Sequence, residues 1–455
     1  MKAYDVENSA WSRFSEAERA AVTTYNESYK AFLDTARTER LAVQEILRQA
    51  KDAGFRPLDS FSTLKAGDKV WWNQKDKSVI LAVIGTEPIS NGLKIVGSHI
   101  DSPRLDLKAS PVVENNKLVY FKTHYYGGIL KYQWVCMPLS LIGVVYTADG
   151  RKIDVSIGED PSDPVLFIND LLPHLGKDQS EKKLGDAIAG EMLMPVIGSN
   201  STEEKTKPAL LTILKDKYGI EEEDFASAEL EVVPTQKSRD VGLDHSMIMS
   251  YGHDDRVCSY GNLAAILQAS QGSKTQAALF TDKEEIGSVG NSGVHSSYFL
   301  DFLAEILALQ GQADDITLRR TLRHSEVLSA DVCAALDPVF PDAYEAANTA
   351  KLGYGICLCK YTGARGKSGS NDANAEFLAK IRQIFNGNNV PWQTGELGKV
   401  DQGGGGTIAY IMADWGCDVV DCGVAMLSMH APLELVAKTD AYSGYLAYKA
   451  FFESK

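Results

Sequence analysis

An α/β fold interrupted by a mostly β insertion is what this 455-residue sequence predicts, and three observations point to it. Short apolar runs alternate with segments of helical spacing towards both ends of the chain. Several of those runs stop on a histidine or an acidic residue. From about residue 105 the texture changes to alternating apolar and polar positions separated by loops, as a β-rich segment would show.

Taken in order, residues 16–53 carry helical periodicity through Ala20, Tyr25, Tyr29, Phe32, Leu41, Ile46 and Leu47, stopping near Gly54. Strands are expected at 79–84 and 94–97. In the middle region 118–121, 133–136 and 152–156 read as strands, and a charged stretch follows over 176–240. Within it, Glu221 to Asp224 reads as a solvated loop or helix start. After residue 245 the alternation resumes, with strands at 277–281, 325–330, 355–359 and 418–422. Helices are expected at about 295–310, 372–385, 407–414 and from 437 onward.

Composition narrows the function classes. With 46 basic and 61 acidic residues the formal charge is −15, which opposes binding to nucleic acid or an anionic membrane, since both need basic patches. The first residues show no basic-then-apolar signal, and no apolar stretch reaches the roughly 20 residues that span a bilayer. A cytoplasmic location is therefore expected. The seven cysteines include no Cys-x-x-Cys and read as reduced, mostly buried thiols, with Cys357 and Cys359 sharing one strand face as core residues.

Chemistry gathers where apolar runs end. The run Val96-Gly97-Ser98-His99-Ile100-Asp101 puts a histidine and a carboxylate two residues apart, the spacing in which an acid can hold the second nitrogen of a ligating imidazole. Residues 277–281 run into Glu284-Glu285, 327–330 into Asp331, and 419–423 lead through a loop to His430. His253-Asp254-Asp255-Arg256 precedes a segment of helical spacing. Each alone has an ordinary reading: a solvated helix start for the glutamates, a cap or turn for Asp331 and Asp254-Asp255, a loop histidine for His430. In an open α/β sheet, however, residues at several strand ends converge on one crevice. Two histidines, three ligating carboxylates and one further glutamate make a two-metal inventory, able to clamp a water and polarise a carbonyl. Imidazole with carboxylate suits zinc, with manganese or cobalt as alternatives.

These residues resemble the aspartyl aminopeptidase and aminopeptidase I family of dinuclear zinc exopeptidases. The matching stretches are Ser98-His99-Ile100-Asp101-Ser102-Pro103-Arg104, Glu284-Glu285-Ile286-Gly287-Ser288, Ser329-Ala330-Asp331 and Met429-His430-Ala431-Pro432. The resemblance implies two divalent ions per subunit, one held by His99 and Asp331, the other by Glu285 and His430, with Asp254 bridging. It makes Glu284 the general base and Asp101 the residue that holds His99. It also implies that His174 completes a neighbouring subunit's substrate site, within a large tetrahedral homo-oligomer of dimers. Asp254-Asp255-Arg256 is also similar to a sister family, the tetrahedral aminopeptidases, so the choice of Asp254 over Asp255 rests on register.

On this reading the chain is a mixed-sheet zinc-exopeptidase catalytic domain in two parts, 1–104 and 245–455, with a β-rich oligomerisation domain inserted at 105–244. Peptides are the expected substrates, cleaved from an unblocked amino end, with an acidic first residue or a neutral one such as Leu. Gly403 to Thr407 resembles a phosphate loop but lacks the Gly-Lys-Ser/Thr ending, so Gly406 and Thr407 read as a backbone approach to substrate or as a structural turn. Lys360, in a basic group with Arg365 and Lys367, could meet an acidic substrate side chain. The alternatives are another two-metal hydrolase, such as a carboxypeptidase or deacylase, and a non-catalytic assembly protein on the same scaffold. Against the latter, all six chemical positions keep competent residue types.

Overall fold

Ser15 opens the first long helix, Glu16–Thr35, with a capping box: its hydroxyl accepts from the Glu18 amide while the Glu18 carboxylate accepts from the Ser15 amide. The periodic region 16–53 is two helices, because Thr38 caps a second, Glu39–Asp52, by accepting from the Leu41 amide. The computed structural model describes residues 8–200 and 205–455, and these divide into two units. The first comprises the described residues up to Asp101, then Ser238–Met429 and Glu434–Lys455; the second comprises Ser102–Lys237 with His430–Leu433.

In the first unit a nine-stranded mixed sheet runs in the order Arg56–Pro57, Lys69–Gln74, Ser78–Val83, Thr275–Thr281, Leu93–His99, Glu326–Ser329, Asp418–Gly423, Ile356–Cys359, Trp392–Thr394. Its centre, from Thr275–Thr281 to Asp418–Gly423, is parallel, and Thr281 stands in register with His99. Successive side chains enter opposite cores. Leu81, Val96, Ala278 and Phe280 join Tyr29, Phe32, Ile46, Leu263 and Phe451 on one face. Ile80, Ile95, Ala277 and Leu279 join Phe299, Phe302, Ile306 and Met412 on the other. Helices cover both faces, which is why these strands read as unbroken apolar runs rather than alternating ones.

A second, five-stranded sheet in the same unit runs Arg239–Val241, Met247–Ser250, Glu434–Ala437, Ala425–Leu427, Cys333–Ala334. The helices expected after residue 245 occur as Tyr298–Leu309, Ala375–Gly387, Ala409–Asp414 and Lys438–Glu453.

The second unit holds a seven-stranded sheet in which every pairing is antiparallel. Ala228–Pro234 pairs with both Arg104–Asn115 and Pro138–Tyr146, so the sheet closes on itself. The strand expected at 133–136 is instead the turn Lys131–Trp134, with Trp134 buried and Cys136 at φ 60, a backbone angle that no strand accommodates. Glu221 and Asp224 form a reciprocal cap on the short helix Glu222–Ser227, with Asp224 buried. No helix among the described residues is long and apolar enough to cross a membrane.

Candidate metal centre

Strand Leu93–His99 delivers its last side chain to the carboxyl end of the parallel block, the end at which such sheets bind ligands. The strand end is held from helix His253–Gln268: Ser259 donates to the His99 carbonyl at 2.7 Å and Asn262 to the Val96 carbonyl at 2.9 Å. The His99 amide donates to Asp255 at 3.3 Å.

The buried His99 ring is oriented as a ligand. Its Nδ1 lies 3.1 Å from the Asp101 carbonyl, an atom that can only accept, so Nδ1 carries the proton and the Nε2 lone pair is exposed to the site. Around Nε2 stand Asp254 at 3.1 Å, Asp331 at 3.7 Å and Glu284 at 3.9 Å, yet Nε2 makes no hydrogen bond. His99, Glu284 and Asp331 bring ligand atoms within 4.8 Å of one another, and so do His99, Asp254 and Glu285.

Asp101 does more than the sequence suggested. One oxygen accepts from the Glu284 amide and the other from the Glu285 amide, each at 3.2 Å, while Oδ1 sits 3.3 Å from His99 Nδ1. The glutamates occupy a single 3₁₀ turn, Glu284–Ile286, entered by Lys283 at φ 69 and left by Gly287 at φ 91. One carboxylate therefore fixes both the imidazole and the glutamate turn.

Asp254 and Asp255 start helix His253–Gln268 with non-helical backbone angles and are joined by a cis peptide bond. They separate in role: Asp254 faces His99 Nε2, while Asp255 takes the His99 amide. The Asp254 amide is anchored on Glu434 at 3.1 Å. His253 turns elsewhere, accepting from the Tyr29 hydroxyl at 2.6 Å and donating to the Ile248 carbonyl at 3.0 Å, and burial pushes its pKa down to about 3.

Electrostatically the cluster favours added positive charge. Burial opposes a charged His99, yet Asp101, Asp254 and Asp331 together hold its pKa well above the imidazole range. Burial and then the neighbouring Asp331 charge push Glu284 well above the carboxylate range. An imidazole lone pair ringed by carboxylate oxygens suits a divalent ion of zinc's borderline character.

The other expected residues lie as follows. His430, at φ 65, belongs to the second unit, where its Nδ1 is 2.8 Å from the Gly128 carbonyl. His174 is exposed on the turn Pro173–Leu175 of that unit. Thr407 donates to the Asp421 carboxylate at 2.7 Å and accepts from the Ala409 amide at 3.2 Å, two residues ahead of helix Ala409–Asp414, whose N-cap is Ile408. Gly406 precedes it with open space where a Cβ would stand. Lys360 lines a small cavity of about 240 Å³ with Asn348, Tyr361, Thr394 and Glu396. Sequence reasoning missed Glu434 and the double role of Asp101, because both act through backbone amides distant in the chain.

The aminopeptidase I zinc metalloprotease (M18) family matches residues 32–452. This chain belongs to the M18 family. A probable M18 family aminopeptidase 1 of Clostridium acetobutylicum is 47% identical over 454 residues, covering 98% of each chain. An M18 aminopeptidase from Thermotoga maritima has a crystal structure that superposes with a TM-score of 0.95 at 43% identity, covering 100% of both chains. A more distant solved relative, the S. cerevisiae mApe1 dodecamer, shares the fold at 18% identity and TM-score 0.75, covering 94% of this chain and 95% of that one. The M18 chain is thus a zinc metallo-hydrolase acting on peptide bonds, an aminopeptidase by family.

Proposed function

We propose that this M18 chain releases the first residue of unblocked peptides at a two-zinc centre. The observation that carries the reading is the convergence of four carboxylates, Asp254, Glu284, Glu285 and Asp331, on the single imidazole His99 in two overlapping ligand groups. His99 and Asp331 would hold one ion, Glu285 and His430 the other, and Asp254 both. Zinc held there would supply Lewis acidity for the scissile carbonyl and would lower the pKa of the attacking water.

Glu284 takes the proton of the attacking water and returns it to the leaving amine, the proton transfer that a positioned carboxylate performs. Asp101 keeps the His99 tautomer and the glutamate turn fixed while this happens. Carboxylates that are not fully neutralised by metal favour a free ammonium at the substrate's amino end. Lys360, beside its cavity, is the candidate cation for an acidic first side chain, with neutral residues such as Leu as the alternative.

The second unit supports self-association. His174 is flanked by Leu171, Leu172 and Leu175, exposed by 53%, 49% and 68%, an apolar surface that a second copy would cover. Through it His174 would reach a neighbour's substrate site, in a tetrahedral assembly of dimers.

Substituting Glu284→Gln tests the chemistry. Zinc content should be unchanged while hydrolysis of aminoacyl chromogenic substrates falls about 10²- to 10⁴-fold. Chelation of the wild type should abolish turnover and added zinc restore it. Near-normal turnover of the variant would remove Glu284 from the reaction, and cleavage of an N-acetylated peptide would remove the aminopeptidase reading.

A further inference from the structure

The ligands of the peptidase centre include no sulfur, yet the first unit gathers sulfur elsewhere. Cys357 and Cys359 alternate onto one face of strand Ile356–Cys359, in the nine-stranded sheet, and Cys333 meets them from strand Cys333–Ala334 of the five-stranded sheet. The three Sγ atoms stand 3.4, 3.6 and 3.6 Å apart, and all three residues are buried.

A buried cysteine usually serves as a small apolar side chain, and the surrounding Ala335, Ala350 and Ala425 would suit that role. The convergence argues for more. Residues from two different sheets direct all three sulfurs at one point, so each thiol's polar end faces the other two. Gly395 covers the group: a Cβ there would lie 2.6 Å from Cys357 Sγ and 3.1 Å from Cys333 Sγ.

We propose that Cys333, Cys357 and Cys359 form an all-sulfur site for a soft monovalent metal ion, represented by copper(I), separate from the peptidase zincs. Zinc in closed protein sites takes four ligands, whereas among the described residues this group offers three sulfurs with no nitrogen or carboxylate oxygen grouped with them. Soft sulfur donors select copper(I), and copper(I) accepts three-coordination. A triangle of this size puts each sulfur about 2.0 Å from its centre, so an ion at the ~2.3 Å typical of metal–thiolate bonds sits about 1 Å out of the sulfur plane. Each thiol that ligates as thiolate gives its proton to solvent, so binding releases protons without any redox step.

The test adds copper(I) anaerobically to the zinc-loaded protein in the presence of a competing copper(I) chelator. The wild type should keep one copper per chain, with sulfur-to-metal charge-transfer absorption, measurable proton release and unchanged zinc content. Cys357→Ala and Cys359→Ala should lose that copper while keeping wild-type circular dichroism and basal peptidase activity, and Cys136→Ala, at an exposed thiol, should keep it. X-ray absorption at the copper edge of the wild type should count three sulfur neighbours, a readout that stands even where a variant fails to fold. Loss of all copper from the wild type to the chelator, retention by folded Cys357→Ala, or nitrogen and oxygen neighbours at the edge would each overturn the proposal.

Discussion

Asp101 shows how much one side chain can organise. Its two oxygens take consecutive backbone amides at Glu284 and Glu285 while one of them stays beside His99 Nδ1. An amide side chain has one acceptor oxygen, so Asp101→Asn can keep only one of the two amide bonds and turns an NH₂ towards the other donor. We expect Asp101→Asn to lose about 10- to 100-fold in zinc affinity or activity, the usual range for partners that orient metal ligands. Zinc titration beside kcat and KM would check it, and wild-type values in both would show that the glutamate turn holds itself. The His-x-Asp spacing and the Glu-Glu pair were legible in the sequence because they are local. Which atoms Asp101 serves was not, since 183 residues separate it from the Glu284 amide. Likewise the Cys357, Cys359 pair could be placed on one strand face, but nothing local announced Cys333, 24 residues away on another sheet.

At the scale of elements, the parallel strands were readable because burial on both faces makes them continuous apolar runs. Strand Ala228–Pro234 was not, because Glu229 and Glu231 place it within a charged stretch even though Leu230, Val232 and Val233 are buried. Close packing of strand ends also positions Asp331. A Cβ on Gly423 would lie 1.5 Å from the Asp331 carbonyl oxygen, so Gly423→Ala must push the Asp331 loop away. It should cost about 1–3 kcal/mol, as overpacking does, and lower zinc content as well. Denaturant midpoints with metal analysis would check both, and a stable, zinc-replete variant would show that the loop can move without consequence.

The same strand that ends in His99 carries a buried cation near its start. Lys94 donates to the carbonyls of Phe451 at 3.1 Å and Ser454 at 2.8 Å, and burial lowers its pKa to about 8 despite the Glu326 charge. In the unfolded chain Lys94 keeps its ordinary value of 10.5. Between about pH 8 and pH 10.5 the unfolded state therefore binds more protons than the folded state, and this group makes stability rise with pH. Denaturant unfolding of the wild type and Lys94→Met across that window should show the wild type gaining stability relative to the variant as pH increases. Parallel curves would mean that Lys94 stays charged in the folded chain.

For the whole molecule, the decisive question is whether a subunit's chemistry depends on its neighbour. Glu284 belongs to the first unit and His174 to the second, where Leu171, Leu172 and Leu175 beside it are exposed. If His174 completes a neighbour's site, a Glu284→Gln subunit has a dead catalytic centre but an intact His174 to lend. A His174→Ala subunit has the converse. Each variant alone should be nearly inactive, with zinc content unchanged. Co-refolded, or exchanged at equal concentrations, the two should recover part of the wild-type turnover, since mixed neighbours include pairs in which an intact Glu284 meets an intact His174. Native mass spectrometry would establish that mixed assemblies had formed. Mixed assemblies without recovered activity would confine each active site to one chain, and full activity of His174→Ala alone would give that histidine no part in the substrate site.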